Sequence, residues 1–236
     1  MSSADHNSAP LRGNAPHLSG LDRACALIHD WSLHKAYING EWQRADSGET
    51  IEVLNPSTGK LLADVAFMRT SEARRAIDAA ADAFLAWSGA LAKDRAAVLR
   101  RWRDLMELYL EDLACLITAE QGKPIDQARR EVVGAIAYAE WYGEEARRAY
   151  GQTMPGTQAD RRGWVQKQAV GVVAAITPWN FPLTMVVRKC APALAAGCSV
   201  VVKPAEDTPL CALAVAKLAE MAGFPKGVFN VVTGTP

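Results

Sequence analysis

The chain has no long apolar run, no paired cysteines, no histidine beyond position 34 and no net charge. Each absence removes a class of function. Without ~18 consecutive apolar residues, a membrane-spanning helix is not expected. The five cysteines (Cys25, Cys115, Cys190, Cys198, Cys211) contain no Cys-x-x-Cys pair, and the histidines cluster at the start, so no metal-ligand spacing exists. An odd cysteine count suits a reducing cytoplasm. The first twenty residues are rich in Ser, Ala, Asn, Pro and Gly, with Asp5 and His6 among them. They lack the apolar core of a secretory signal and read as a disordered tail. Twenty-six basic residues balance 26 acidic ones with no dense Lys/Arg stripe, which argues against a nucleic-acid surface. Arg74-Arg75, Arg129-Arg130 and Arg147-Arg148 sit near acids on helical stretches and read as solvated faces. Finally, no Gly-x-Gly-x-x-Gly is present, so the usual pyrophosphate fingerprint is missing.

What is present is enough apolar sequence, half of 236 residues, to bury a sizeable core without disulfides or a metal. After a tail and short helix over 1–34, Ala36–Trp42 reads as a strand broken by an Asn-Gly turn, and Thr50–Leu54 as a second strand ending at Asn55-Pro56. This small N-terminal β-unit opens a segment, 35–150, that continues as helices over Ser71–Trp87, Lys93 to about Gln121 and Pro124 to about Tyr150. In the middle one, Leu99, Trp102, Met106, Tyr109, Leu113 and Leu116 form a packing stripe. From 151 to 168 the pattern is extended and Gly/Pro-punctuated, an arm whose unpaired backbone needs a partner.

Residues 169–236 alternate strand and helix: Gly171–Ile176, Leu183–Ala196, Ser199–Lys203, Pro209–Ala222, Gly227–Val232. The strands are Val/Ala/Ile-rich, as expected when helices cover both faces. This is an α/β pattern, one βαβαβ half of a doubly wound parallel sheet. Ligands of such sheets collect beyond the carboxyl strand ends, here Trp179-Asn180, Lys203–Glu206 and Thr233-Gly234.

Residue types at those ends carry a specific resemblance. Ile176-Thr-Pro-Trp-Asn-Phe-Pro182, Arg188-Lys189 and Val202-Lys-Pro-Ala-Glu206 occur in one βαβ frame, supported by Glu120-Gln-Gly-Lys-Pro124 and Gly227–Gly234. Over roughly 35–236 the chain resembles the NAD(P)-dependent aldehyde dehydrogenase superfamily, and within it the succinate-semialdehyde dehydrogenase branch. The resemblance implies an aldehyde dehydrogenase-like fold, an NAD cofactor with NADP possible, and a phosphate-contacting helix later in the chain. It makes Asn180 the side-chain donor of an oxyanion hole, or else a helix cap. It assigns Ile176, Thr177, Pro178, Trp179, Lys203, Pro204, Ala205, Glu206 and Gly234 to the cofactor. Lys203 and Glu206 would otherwise be a surface pair, and Gly234 a strand-end turn.

A carboxylate at Glu206 can accept hydrogen bonds from ribose hydroxyls and repels a 2'-phosphate, favouring NAD over NADP. Arg188 stands where many relatives of this kind carry an aromatic residue. It implies a small aldehyde bearing a carboxylate, or else pairs with a helix-face acid. The branch implies oxidation of succinate semialdehyde or a related ω-oxo acid through a thiohemiacetal and a thioester. The arm at 151–168 would belong to an oligomerisation sheet. The family's nucleophilic cysteine and general-base glutamate lie in a segment beyond Val232–Pro236. The expectation is therefore a truncated chain, inactive alone, with an aggregation-prone open edge after its third strand. The competing reading is a non-catalytic nucleotide-binding or oligomerisation remnant.

Overall fold

The computed structural model describes residues 19–235; of the twenty residues expected as a disordered tail, 1–18 lie outside the described residues, while Ser19 and Gly20 begin a helix. The βαβαβ unit is the backbone of the architecture. Strands β7 (Val172–Ile176), β8 (Ser199–Lys203) and β9 (Phe229–Val231) run parallel, joined by α6 (Thr184–Ala196) and α7 (Pro209–Ala222). Valines alternate across β8. Val200 and Val202 point into the main core, while Val201 packs with Ala76 and Ala80 of α2 (Thr70–Gly89) on the other face. Helices on both faces are therefore why the strands read as unbroken apolar runs.

The sheet does not stop at β9. The Asn-Gly hairpin forms as its sequence dictates, with Asn39 and Gly40 both at positive φ between β1 (Ala36–Ile38) and β2 (Glu41–Gln43). Its first strand then pairs antiparallel with β9, Tyr37 opposite Val231, giving a mixed sheet in the order β2-β1-β9-β8-β7. This corrects two expectations: the Ala36–Trp42 hairpin belongs to the main sheet rather than to a separate N-terminal β-unit with Thr50–Leu54, and the edge after the third strand is covered. Asn230 helps fix the join, its side-chain oxygen accepting from Asn39 N–H (2.9 Å) and its amide donating to Val200 and Gly227 carbonyls.

A strand absent from the sequence reading, β4 (Leu61–Ala66), pairs with β3 (Thr50–Leu54) after a turn nucleated by the Asn55 side chain, which accepts from Ser57 and Thr58 amides. Helix α1 (Gly20–Asp30) packs nearby. The long central helix is two, α3 (Ala92–Leu108) and α4 (Leu110–Gln121), broken at Tyr109. The stripe survives the break because Leu113 and Leu116 stay inside with Leu99, Trp102 and Met106, while the half-buried Tyr109 meets Trp31 edge-on. Helix α5 (Ile125–Glu145) follows, then a hairpin of β5 (Gln152–Pro155) and β6 (Arg162–Val165), exposed along most of its length.

Each crossover helix is tied at its C-terminal end by side chains of α2 and α3. Trp87 and Arg95 donate to Leu194 and Ala195 carbonyls, and Arg101 to Ala222. Carbonyls in the last turn of a helix lack i+4 partners, and these N–H donors satisfy them there; the Leu194 carbonyl also accepts from the cap residue Gly197 (3.1 Å).

Candidate functional site

Register places the chemistry. Ile176 lies beside Lys203, and Thr177 N–H donates to the Lys203 carbonyl (3.1 Å), so the chain leaves β7 and β8 at the same level. From there Ile176 (72% exposed) and Trp179 (56%) form an uncovered apolar shelf, with Pro178 and Asn180 also exposed and Thr177 buried. Asn180 does not occupy the first turn of a helix. Residues 179–183 form bends and a turn, and α6 begins only at Thr184, with Leu183 at its cap position. The helix-cap alternative for Asn180 fails on the same geometry. Asn180 precedes α6, so it and Arg188 do not share a helix. Arg188 is exposed on α6, its guanidinium 5.6 Å from the Tyr138 ring centroid, and no ion pair joins it to a described residue.

Past β8, Lys203 Nζ donates to Glu206 Oε2 at 3.1 Å. Hydrogen bonding from its own backbone amide, then from Lys203, holds the Glu206 carboxyl below the usual carboxylate range, so it is ionised at neutral pH. Pro204 is buried and Ala205 half-buried; the turn closes with Thr208 N–H on the Ala205 carbonyl. Thr208 Oγ1 is buried with no protein partner.

The N-termini of both crossover helices are occupied by the protein's own carboxylates. Glu120 of α4 accepts from Leu210 N–H (2.5 Å) and Cys211 N–H (3.0 Å) at the start of α7. Glu131 of α5 accepts from Leu183 and Thr184 N–H (3.1 and 3.2 Å) at the start of α6, and also pairs with Lys123. A helix N-terminus is an anion seat, and here both are filled. Sequence reading assigned neither glutamate a role. The available signal was Glu131 standing on the apolar stripe Ala128, Val132, Ala135, all buried.

This arrangement fits one part of a dinucleotide. The Lys203–Glu206 pair offers a donor and an ionised acceptor beside an exposed apolar shelf, matching a ribose diol and an adjoining ring. The two filled helix termini leave no pyrophosphate seat on α6 or α7, in keeping with the missing glycine-rich fingerprint. Gly234 at the third strand end is buried, and a side chain there would come within 2.7 Å of the Met68 carbonyl. Met68 N–H also donates to the Thr233 carbonyl (2.8 Å). The close approach that needs glycine at 234 is thus made by the chain itself, and two of the three strand ends share the open shelf.

Cys190 and Cys211 are fully buried, and burial pushes both thiols well above their ordinary range; Cys115 is raised likewise, and Cys198 is buried. A cavity of about 730 Å³ between α1 and the β3–β4 hairpin is lined by Cys25, His29, His34 and Arg44 among others, and none of its lining residues belongs to the shelf. No helix among the described residues is long and apolar enough to cross a membrane.

The chain is 56% identical over 201 residues to glutarate-semialdehyde dehydrogenase of Pseudomonas aeruginosa, covering 85% of this chain and 42% of that protein. It is 55% identical over 210 residues to succinate-semialdehyde dehydrogenase [NADP(+)] of Escherichia coli (88% and 44%). It is also 54% identical over 210 residues to 3-sulfolactaldehyde dehydrogenase of Pseudomonas putida (88% and 43%). The crystal structure of succinate-semialdehyde dehydrogenase from Burkholderia pseudomallei superposes with a TM-score of 0.85 at 54% identity, covering 87% of this chain and 43% of that one. The chain thus spans less than half the length of the relatives it matches. Residues 42–236 match the pattern of the aldehyde dehydrogenase family, and with that match and this fold the chain belongs to that family.

Proposed function

We propose that the protein oxidises a small aldehyde carrying a carboxylate, succinate semialdehyde or a related ω-oxo acid, to the dicarboxylate. The nicotinamide cofactor, when bound, supplies the hydride acceptor. The observation that carries the substrate class is Arg188, an exposed guanidinium with no ion pair to a described residue. It occurs in a chain whose relatives are named for semialdehydes of dicarboxylic acids and for a sulfonated aldehyde. All three substrates place an anion away from the aldehyde, and a planar guanidinium suits such a group.

In this reading the Asn180 amide donates to the oxygen on which negative charge develops, a contribution of ~3 kcal/mol. Lys203 and Glu206 hold the adenosine ribose. Ile176, Thr177, Pro178 and Trp179 form the shelf beside it, and Pro204 and Ala205 shape the turn. The ionised Glu206 favours NAD, while the name of the Escherichia coli relative carries NADP. None of Cys115, Cys190, Cys198 and Cys211 is placed to attack a substrate, because all are buried. Free thiols suit a reducing cytoplasm, and the exposed β5–β6 hairpin suits pairing with a second copy. The test is the kcat/KM ratio between succinate semialdehyde and butanal in Arg188→Met. Loss of a charged hydrogen bond predicts a drop on the order of 50-fold for the acid with butanal spared. An unchanged ratio refutes the substrate assignment.

A further inference from the structure

The turn carrying Asn180 has no regular secondary structure of its own, yet it is held from both sides. Lys123 Nζ donates to the Asn180 carbonyl at 3.0 Å and stands 3.9 Å from the centroid of the Phe181 ring. The same ammonium pairs with Glu131 Oε2 at 2.5 Å; the Lys123 side chain is 9% exposed and that of Glu131 not at all. Glu131 turns its other oxygen to the amides of Leu183 and Thr184, and Thr184 Oγ1 donates to the Glu131 carbonyl (2.9 Å). One buried ion pair therefore spans the whole turn, cation at its start and anion at its end. Helix α7 has a capping glutamate too, but its partners there are the Leu210 and Cys211 amides and the Cys211 thiol, with no cation among them. Only the turn bearing Asn180 receives the added cation.

We propose that Lys123, anchored by Glu131, is a positioning residue for the aldehyde chemistry. It fixes the Asn180 backbone so that the side-chain amide stays aimed at the developing oxyanion. The inference rests on the reading of Asn180 as oxyanion donor. A donor helps most when it needs no reorientation during the reaction, and a displacement of about 1 Å can cost on the order of 100-fold in rate. Lys123 touches neither substrate nor cofactor in this scheme.

The test uses the native enzyme with Lys123→Met/Glu131→Gln, Lys123→Arg and Asn180→Ala. The double variant removes both charges together, so no buried charge is left unpaired, and the glutamine oxygen can still accept from Leu183 and Thr184. Amide exchange is followed over 181–186 and, as an internal reference, over 209–214, beside kcat and KM. The expected result for the double variant is at least tenfold faster exchange at 181–186 with 209–214 unchanged. Its kcat falls at least tenfold and KM for the cofactor stays within twofold, while Lys123→Arg recovers most of both. Parental exchange and kcat in the double variant, with a large loss in Asn180→Ala, would overturn the proposal and leave the oxyanion reading intact. Equal loosening of both segments would also overturn it, as a general structural effect. Full kcat in Asn180→Ala is the separate result that removes the oxyanion reading, and the proposal with it.

Discussion

Two buried glutamates cap two neighbouring helices, and they are set apart by their partners. Glu131 has Lys123, whereas around Glu120 burial pushes the carboxyl up to about 7 against the hydrogen bonds from Cys211 and Leu210. A carboxyl raised in the fold binds its proton more tightly there than in the unfolded chain. Its stabilising contribution is complete below the unfolded value near 4.5 and is lost as pH rises through about 7. Urea midpoints of the parent minus those of Glu120→Gln should therefore fall between pH 5 and 8 and then level off; a flat difference would show that Glu120 does not titrate in this window. Glu206 gives a prediction of a different kind. Glu206→Gln removes the charge that faces a 2'-phosphate, so the ratio of kcat/KM for NAD over NADP should fall about tenfold, read by steady-state kinetics with both cofactors. An unchanged ratio would place cofactor choice elsewhere. Gly234→Ala should shift the urea midpoint by about 1–3 kcal/mol of stability with no cofactor present, because the new methyl meets the Met68 carbonyl. A neutral result would return Gly234 to a purely ligand-facing role. Trp179, Asn180, Lys203 and Glu206 were legible as a motif at strand ends. Glu120 and Glu131 were not, because their partners lie 90 and 52 residues away and a sequence records no such distance in space.

At the scale of elements, patterning located the helices between 70 and 222 but gave no bounds for α1, and it could not see the break at Tyr109, since the apolar stripe continues through it. Strand β4 was missed for the opposite reason. Leu61, Leu62, Ala63, Asp64, Val65 and Ala66 alternate only weakly in polarity, although Ala63 and Val65 are buried and Leu61 and Asp64 exposed. The 151–168 arm was read as needing a partner, and β5 and β6 supply each other with one while leaving Trp164 79% exposed. An indole that exposed contributes little to the fold of its own chain. Trp164→Ser should leave the thermal midpoint of the isolated protomer within about 0.5 kcal/mol of stability, and lower the assembly mass by light scattering if the hairpin docks on a second copy. Unaltered mass would exclude Trp164 from the contact.

Over the whole molecule, the parallel strand–helix alternation was legible because each element is short, local and strongly patterned. The joining of β1 to β9 was not, because pairing between distant strands leaves no trace in either strand's composition. That join has a consequence for synthesis. Tyr37 and Val231 are nearly two hundred residues apart in the chain, yet they sit side by side in the sheet. Contacts of such separation form late and slow folding. While α7 is still being translated, the β1–β2 hairpin has left the ribosome with no sheet to join, its edge available to chaperones or to other nascent chains until β9 emerges to claim it.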